Sequence, residues 1–273
     1  MIAMQFAGQF GNQLHQYAMA KILAERTGLA YQPPDDFFRK DGSPVAWVRW
    51  PIFRMKPTPG RILQADPSGW QMVDAMHWLD LDAIDGSRPV SVRGFFQRYE
   101  LIRPWKNYIR KEWLPLSPWR IGPTDPEAVY VHVRRTDYVD IGEGRPPDTT
   151  RQERANTSEE FARCIAEFPD AKRLVLVTDD PVGAAAMPWP LPFTVQSAAW
   201  DVDFLTLASA RWLVCSCSTF SWWAGWLGHA ERIAVPVFPG TYWHNGLGAV
   251  GPDQPDFPNL YPGDEAERWR WLS

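Results

Sequence analysis

Cysteine is scarce in this chain. Three residues, Cys164, Cys215 and Cys217, are too few for a disulfide framework and predict a reducing compartment. Long apolar runs are also missing: no stretch of eighteen apolar residues offers a transmembrane segment. Met1-Ile2-Ala3-Met4-Gln5-Phe6 lacks the character of a signal peptide, so the expectation is a soluble, cytoplasmic protein. Excess positive charge is absent too. A net charge of −4 argues against a nucleic-acid surface. Cys215-Ser216-Cys217 has no matching histidine cluster, which argues against zinc.

Hydrophobic residues make up 45% of 273 positions, enough for one large core or two modest ones. The 26 prolines fall mostly in connecting segments and predict rigid turns. The sixteen tryptophans suit stacking on sugar faces as well as core packing.

The clearest stretch is Val129-Tyr130-Val131-His132-Val133 followed by Arg134-Arg135. A β-branched apolar run of this kind predicts a strand covered on both faces, in the middle of a parallel sheet. Ligands of open α/β sheets bind at the carboxyl edge, where the arginines would stand. An arginine fork matches two phosphate oxygens, so the pair is a candidate diphosphate site; an exposed pair at a loop start is the plainer alternative.

Ile2–Phe6 reads as a short strand, Gly8-Gln9-Phe10-Gly11 as a turn, and Asn12 as the cap of a helix closing at Thr27-Gly28. This turn lacks the third glycine of a dinucleotide fingerprint and the lysine of a P-loop. Residues 31–89 carry few periodic runs. Val90–Gln97 predicts a strand and Leu101–Leu114 a helix. Prolines 115, 118, 123 and 126 predict a domain boundary. Beyond it, a capping box at Thr157-Ser158-Glu159-Glu160 opens a helix through Phe168, and Leu174–Val177 is a buried strand ending at Thr178-Asp179-Asp180. Those aspartates could accept bonds from a ribose or guanine, or cap the next helix. Further elements are a helix over Asp201–Ala210, a strand over Trp212–Cys215, a helix capped at Ser218-Thr219-Phe220-Ser221, and a strand over Ile233–Val237. This alternation predicts a doubly wound parallel sheet. Asp201-Val202-Asp203 imitates a metal motif, but acids in a first helical turn suit the dipole without any ion.

Five stretches, in order, resemble the bacterial and animal α-1,2-fucosyltransferases of glycosyltransferase family 11: Gly8–Ala18, Gly94-Phe95-Phe96-Gln97, His132-Val133-Arg134-Arg135-Thr136-Asp137-Tyr138, Thr178-Asp179-Asp180, and Ser218-Thr219-Phe220-Ser221-Trp222-Trp223. The resemblance implies an α/β fold of the GT-B kind, two Rossmann-like domains with parallel sheets facing a central cleft. The domains would be an acceptor-side domain over 1–122 and a donor domain over 123–255, with a tail over 256–273 packing back on the first. It implies GDP-fucose as donor, a galactose-terminated glycan as acceptor, inversion, and no metal or other cofactor. It leaves room for peripheral membrane association through a lipid-linked acceptor. By the same matches Arg134 and Arg135 would hold the diphosphate, helped by Ser218, Thr219, Phe220 and Ser221, and His132 would belong to the donor-binding set. Asp179 or Asp180 would face the guanosine, and Gly11 with Asn12 would line the cleft.

There are departures. His15 stands at the mouth of the cleft, where the family has an aromatic. Ser158-Glu159-Glu160-Phe161 replaces its usual tyrosine pair, and the chain is slightly short. All bear on the acceptor side, which leaves another GDP-hexose, a non-galactose acceptor or a non-catalytic sugar-binding protein as alternatives. For the base that inversion needs, the candidates are Asp137, Asp140 and Glu143, or His15, His132 and His244; Asp137 could equally fix an arginine by a salt bridge. The polar loop 140–155 is expected to act as a lid that orders on GDP binding.

Overall fold

The computed structural model describes residues 1–33, 52–53, 56–63, 65–116, 124–135, 155–236 and 260–272. They form two compact units: residues up to 116 with Leu260, and residues from 124 to 236 with 261–272. Both are α/β with parallel sheets, as expected. No described helix is long and apolar enough to cross a membrane.

The first unit is built on three parallel strands: β1 (Ile2–Gln5), β2 (Gln71–Asp74) and β3 (Val90–Arg93), in the order β1-β3-β2. Helix α1 (Phe10–Thr27) follows β1 and buries most of its length. Its end follows the sequence: Gly28 takes the left-handed conformation, φ 67°, and donates to the Ala24 carbonyl. Its start does not. The cap is Gln9, not Asn12, and Asn12 lies inside the first turn, where its Oδ1 accepts from Gln97 Nε2 at 2.8 Å.

β3 stops at Arg93, short of the strand expected to Gln97. Gly94 turns the chain with φ 159°, and a Cβ there would lie 1.8 Å from the Ala75 carbonyl oxygen. A side chain at 94 would therefore push the ends of β2 and β3 apart. Gly94→Ala is expected to destabilise the protein by at least about 2 kcal/mol, read from its urea midpoint; an unchanged midpoint would refute this close approach. The helix expected over Leu101–Leu114 is a chain of short turns, Tyr99–Ile102, Arg103–Trp105, Lys106–Tyr108 and a π turn at Ile109–Trp113. Pro104 lacks the N–H that would continue the first turn.

The second unit holds six parallel strands: β4 (Ala128–Val133), β5 (Arg173–Thr178), β6 (Phe193–Gln196), β7 (Trp212–Val214), β8 (Arg232–Pro236) and β9 (Trp269–Leu272). Their order is β6-β5-β4-β7-β8-β9. The chain winds outward from β4 to β6, then returns to β7 on the other side of β4. The direction of winding thus reverses between β4 and β7. β4 is buried at every residue, as its composition requires. Among the described residues, four helices connect the strands: α2 (Ser158–Ala166), α3 (Pro181–Ala185), α4 (Trp200–Ser209) and α5 (Thr219–Leu227). The capping box of α2 is complete: Thr157 Oγ1 accepts from Glu160 N, and Glu160 Oε2 from Thr157 N at 2.8 Å.

One expectation needs correction. The tail expected to return to the N-terminal domain instead supplies β9, which pairs with β8 in the second unit's sheet. Tryptophan builds part of this unit's core: Trp222, Trp223, Trp226 and Trp269 are buried together, with ring centroids 5.2–6.0 Å apart.

Candidate functional site

The reversal between β4 and β7 opens a crevice at their carboxyl ends, the place where such sheets bind nucleotides. His132, Arg134 and Arg135 come from the end of β4; Ser216 and Ser218 come from the loop after β7. Hydrogen bonds join its two sides. His132 Nδ1 and Ser216 Oγ lie 2.6 Å apart, and Arg134 donates from a guanidinium nitrogen to Ser218 Oγ at 3.2 Å. Ser218 also caps α5 by accepting from Phe220 N at 3.3 Å. The positive end of the α5 dipole therefore adjoins Arg134.

The two arginines are held differently. Arg135 is clasped by both aspartates that follow β5: its backbone N–H donates to Asp179 Oδ1 at 2.9 Å, and its Nε to Asp180 Oδ2 at 3.1 Å. Asp180 also caps α3 through Gly183 N at 2.9 Å. That N–H first, and Arg135 second, hold the Asp180 carboxyl below its ordinary range. A Cβ at Gly183 would sit 2.0 Å from Asp180 Oδ2, so glycine is what lets this clasp close. The second arginine fixes the backbone that presents the first.

His132 is a buried, neutral ring. Burial and then Arg134 lower its pKa to about 3. Its ring centroid is 5.4 Å from that of Phe220, which in turn packs on Phe204. Ser221 is fully buried and donates to the Ser216 and Ser218 carbonyls, so it braces the loop from inside. Thr219 is nearly buried; Phe220 is partly exposed. Burial pushes the Cys215 thiol up to about 12, which makes it a packing residue. Asp203 accepts from Gln196 Nε2 at 2.8 Å and from the Ala198 N–H, tying α4 to β6.

In the first unit, two separated motifs meet at the carboxyl ends of β1 and β3. Gln16 Nε2 donates to the Gly94 carbonyl at 2.7 Å, Gln16 Oε1 accepts from Ala7 N at 3.0 Å, and Gln97 reaches Asn12. Gly11 is buried in the first turn of α1. His15 is not at an exposed mouth: it is fully buried, and burial followed by repulsion from His77 lowers its pKa to about 3. Asp137, Asp140, Glu143, His244 and most of the loop 140–155 lie outside the described residues.

The sequence placed Arg134 and Arg135 just past the end of β4, where they stand, but did not show the clasp on Arg135 or the His132–Ser216 bond. The available signal was the small-polar run Cys215–Ser218 at the end of the strand that follows the reversal.

No protein-family model matches this sequence, and no curated protein matches it. Among solved structures, POFUT1 in complex with GDP-fucose aligns at 13% identity over 86% of this chain and 96% of its own, with a TM-score of 0.47. POFUT1 in its apo form aligns at 12% identity over 81% and 92%, TM-score 0.43. POFUT1 in complex with GDP aligns at 16% identity over 54% of this chain and 55% of its own, TM-score 0.36. Likenesses of this size assign no substrate and no residue role.

Proposed function

We propose that this protein is an inverting glycosyltransferase that moves L-fucose from GDP-fucose to the 2-hydroxyl of a terminal β-galactoside. The observation that carries the reading is the bridge from Arg134 to Ser218 at 3.2 Å, across the crevice where the winding reverses. In the reaction the bond from the fucose anomeric carbon to the diphosphate breaks, and GDP leaves with the electron pair. The acceptor oxygen forms the new bond from the opposite face, and its proton passes to a base. Arg134 and the start of α5 are aimed where the leaving diphosphate gains charge, which is the chief demand of such a transition state. Arg135, braced by Asp179 and Asp180, sets the aim. Fixed cationic groups of this kind take the part a metal plays elsewhere, so activity is expected to survive EDTA.

The base is a carboxylate in this reading. A ring with a pKa near 3 is a weak proton acceptor at neutral pH, which disfavours His15 and His132. Asp137, Asp140 and Glu143 follow the arginines directly. Asp140→Asn or Glu143→Gln is expected to lower transfer far more than GDP affinity, since a base acts on the acceptor. Kinetics beside GDP titration separate the two; wild-type turnover in both variants removes these two residues from the mechanism.

The deciding experiment is incubation with GDP-fucose and lactose in EDTA, with product linkage read by NMR. An α-1,2-linked product is expected. GDP release without that product would favour another acceptor, and sugar binding with no GDP release would favour a non-catalytic protein.

A further inference from the structure

The first unit contains a cavity of about 550 Å³ whose lining includes Trp78, Trp105, Tyr108, Arg26, Asp82 and Glu100. That volume lies within the ~300–1,000 Å³ typical of small-molecule sites. Its Arg26 wall lies away from the edge where α1 begins. Arg26 is in the last turn of α1, sixteen residues from its start, about 24 Å along a helix rising about 1.5 Å per residue.

The lining combines aromatic faces with carboxylates. Trp105 is braced from behind by the buried Trp113, centroids 5.7 Å apart and planes inclined by 25°, and it meets Tyr108 at 5.9 Å. Trp78 and Tyr108 are nonetheless 39% and 52% exposed: Arg98 lies over the first and Trp105 and Trp113 flank the second, and large ring area still faces solvent. Charge narrows the ligand further. Asp82 is already paired with Arg26, and Glu100 with Arg98, whose Nε lies 3.5 Å from Glu100 Oε2. Arg98 also sits over the Trp78 ring, 5.4 Å from its centroid. A quaternary ammonium would find the cation position over Trp78 taken. A phosphate would find these guanidiniums engaged and carboxylates around it. A neutral ring with one apolar face and a rim of hydroxyls meets both kinds of lining: it stacks on the aromatics and donates to Asp80, Asp82 and Glu100.

We propose that this cavity binds a neutral sugar residue of an oligosaccharide, independently of the nucleotide. The test uses the full chain without GDP and four probes: lactose, lacto-N-neotetraose, cellotetraose and maltotetraose. Saturation-transfer NMR and calorimetry should show binding of at least one at about 1 mM or tighter. Trp78→Ala and Tyr108→Ala, both at exposed positions, should each weaken it by about tenfold while GDP binding stays unchanged. The proposal fails if no probe binds, if both variants bind as wild type does, or if tetramethylammonium binds and competes. Failure of fucose transfer would leave this titration untouched, so the two proposals stand or fall separately.

Discussion

Arg134→Ala is expected to reduce kcat/KM for the proposed fucose transfer by about 10²–10³, the loss of about 2.7–4 kcal/mol that follows removal of one fixed donor to a developing charge. The side chain reaches Ser218 at 3.2 Å and stands beside the start of α5, so its charge is held in place before any substrate arrives. Arg134→Lys should recover only part of the activity, because an ammonium keeps the charge but not the two-pronged fork. Arg135→Ala should behave differently. It removes the partner of Asp180 in a pair whose side chains are only 22% and 15% exposed, so it should lose stability as well as rate. A hydrogen bond to a charged group contributes about 1.5–3 kcal/mol, which sets the scale of that loss. Thermal melts beside steady-state kinetics distinguish the two positions. Near-normal turnover in Arg134→Ala would remove Arg134 from the mechanism; an Arg135→Ala protein as stable as wild type would remove the clasp.

Acidification should destabilise the fold well before the carboxylates titrate. His15 and His132 both have folded pKa values of about 3, set first by burial and then by His77 and Arg134 respectively. In the unfolded chain an imidazole titrates near ~6.5. Between those values the unfolded state binds protons that the folded state excludes. Stability is therefore fully present above the unfolded value and is lost as pH falls below it. Each histidine contributes a slope of up to about 1.4 kcal/mol per pH unit across that window. Asp180, whose pKa is lowered, adds a loss of the same sign only at more acid pH, as the carboxylate range is crossed. Urea denaturation at pH 7.5, 5.5 and 4.5 should show the midpoint falling at each step, and His132→Gln should flatten the dependence. A midpoint unchanged between pH 7.5 and 4.5 would mean that neither ring is kept neutral.

How much of this was legible in the sequence depends on how far each residue's surroundings are local. β4 could be read because all six of its residues are buried and apolar or nearly so, a pattern only a central strand produces. The Thr157–Glu160 box could be read because its partners are three residues apart. β2 and β6 could not. β2 alternates partly buried with exposed positions over only four residues, with Met72 67% exposed, and β6 is a largely exposed edge strand after a proline-rich turn. Asp180 illustrates the limit best. Its capping role is visible in Asp-Pro at a helix start, but its bond to Arg135 joins residues 45 positions apart. Nothing in either local stretch says which basic group will occupy the second carboxylate oxygen. The same holds for Gln16, whose reach to Gly94 spans 78 positions and ties one motif to another. The crevice itself follows from strand order, and strand order was open until β7 was seen to return beside β4.

The pairing of β9 with β8 has a consequence for the order in which the protein is made. Trp269 packs on Trp222 at 6.0 Å, and Arg268 donates to the carbonyls of Gly225, Gly228 and Ala230 at 2.6–2.8 Å, fastening the end of α5. The helix that Ser218 caps is thus secured at its far end by residues translated some forty positions later, on the order of seconds behind at usual elongation rates. During that interval β8 has an unpaired edge, and Trp222 lacks one of its ring neighbours. A nascent chain stalled before Trp269 should be a ready client for chaperones, and one released whole should not.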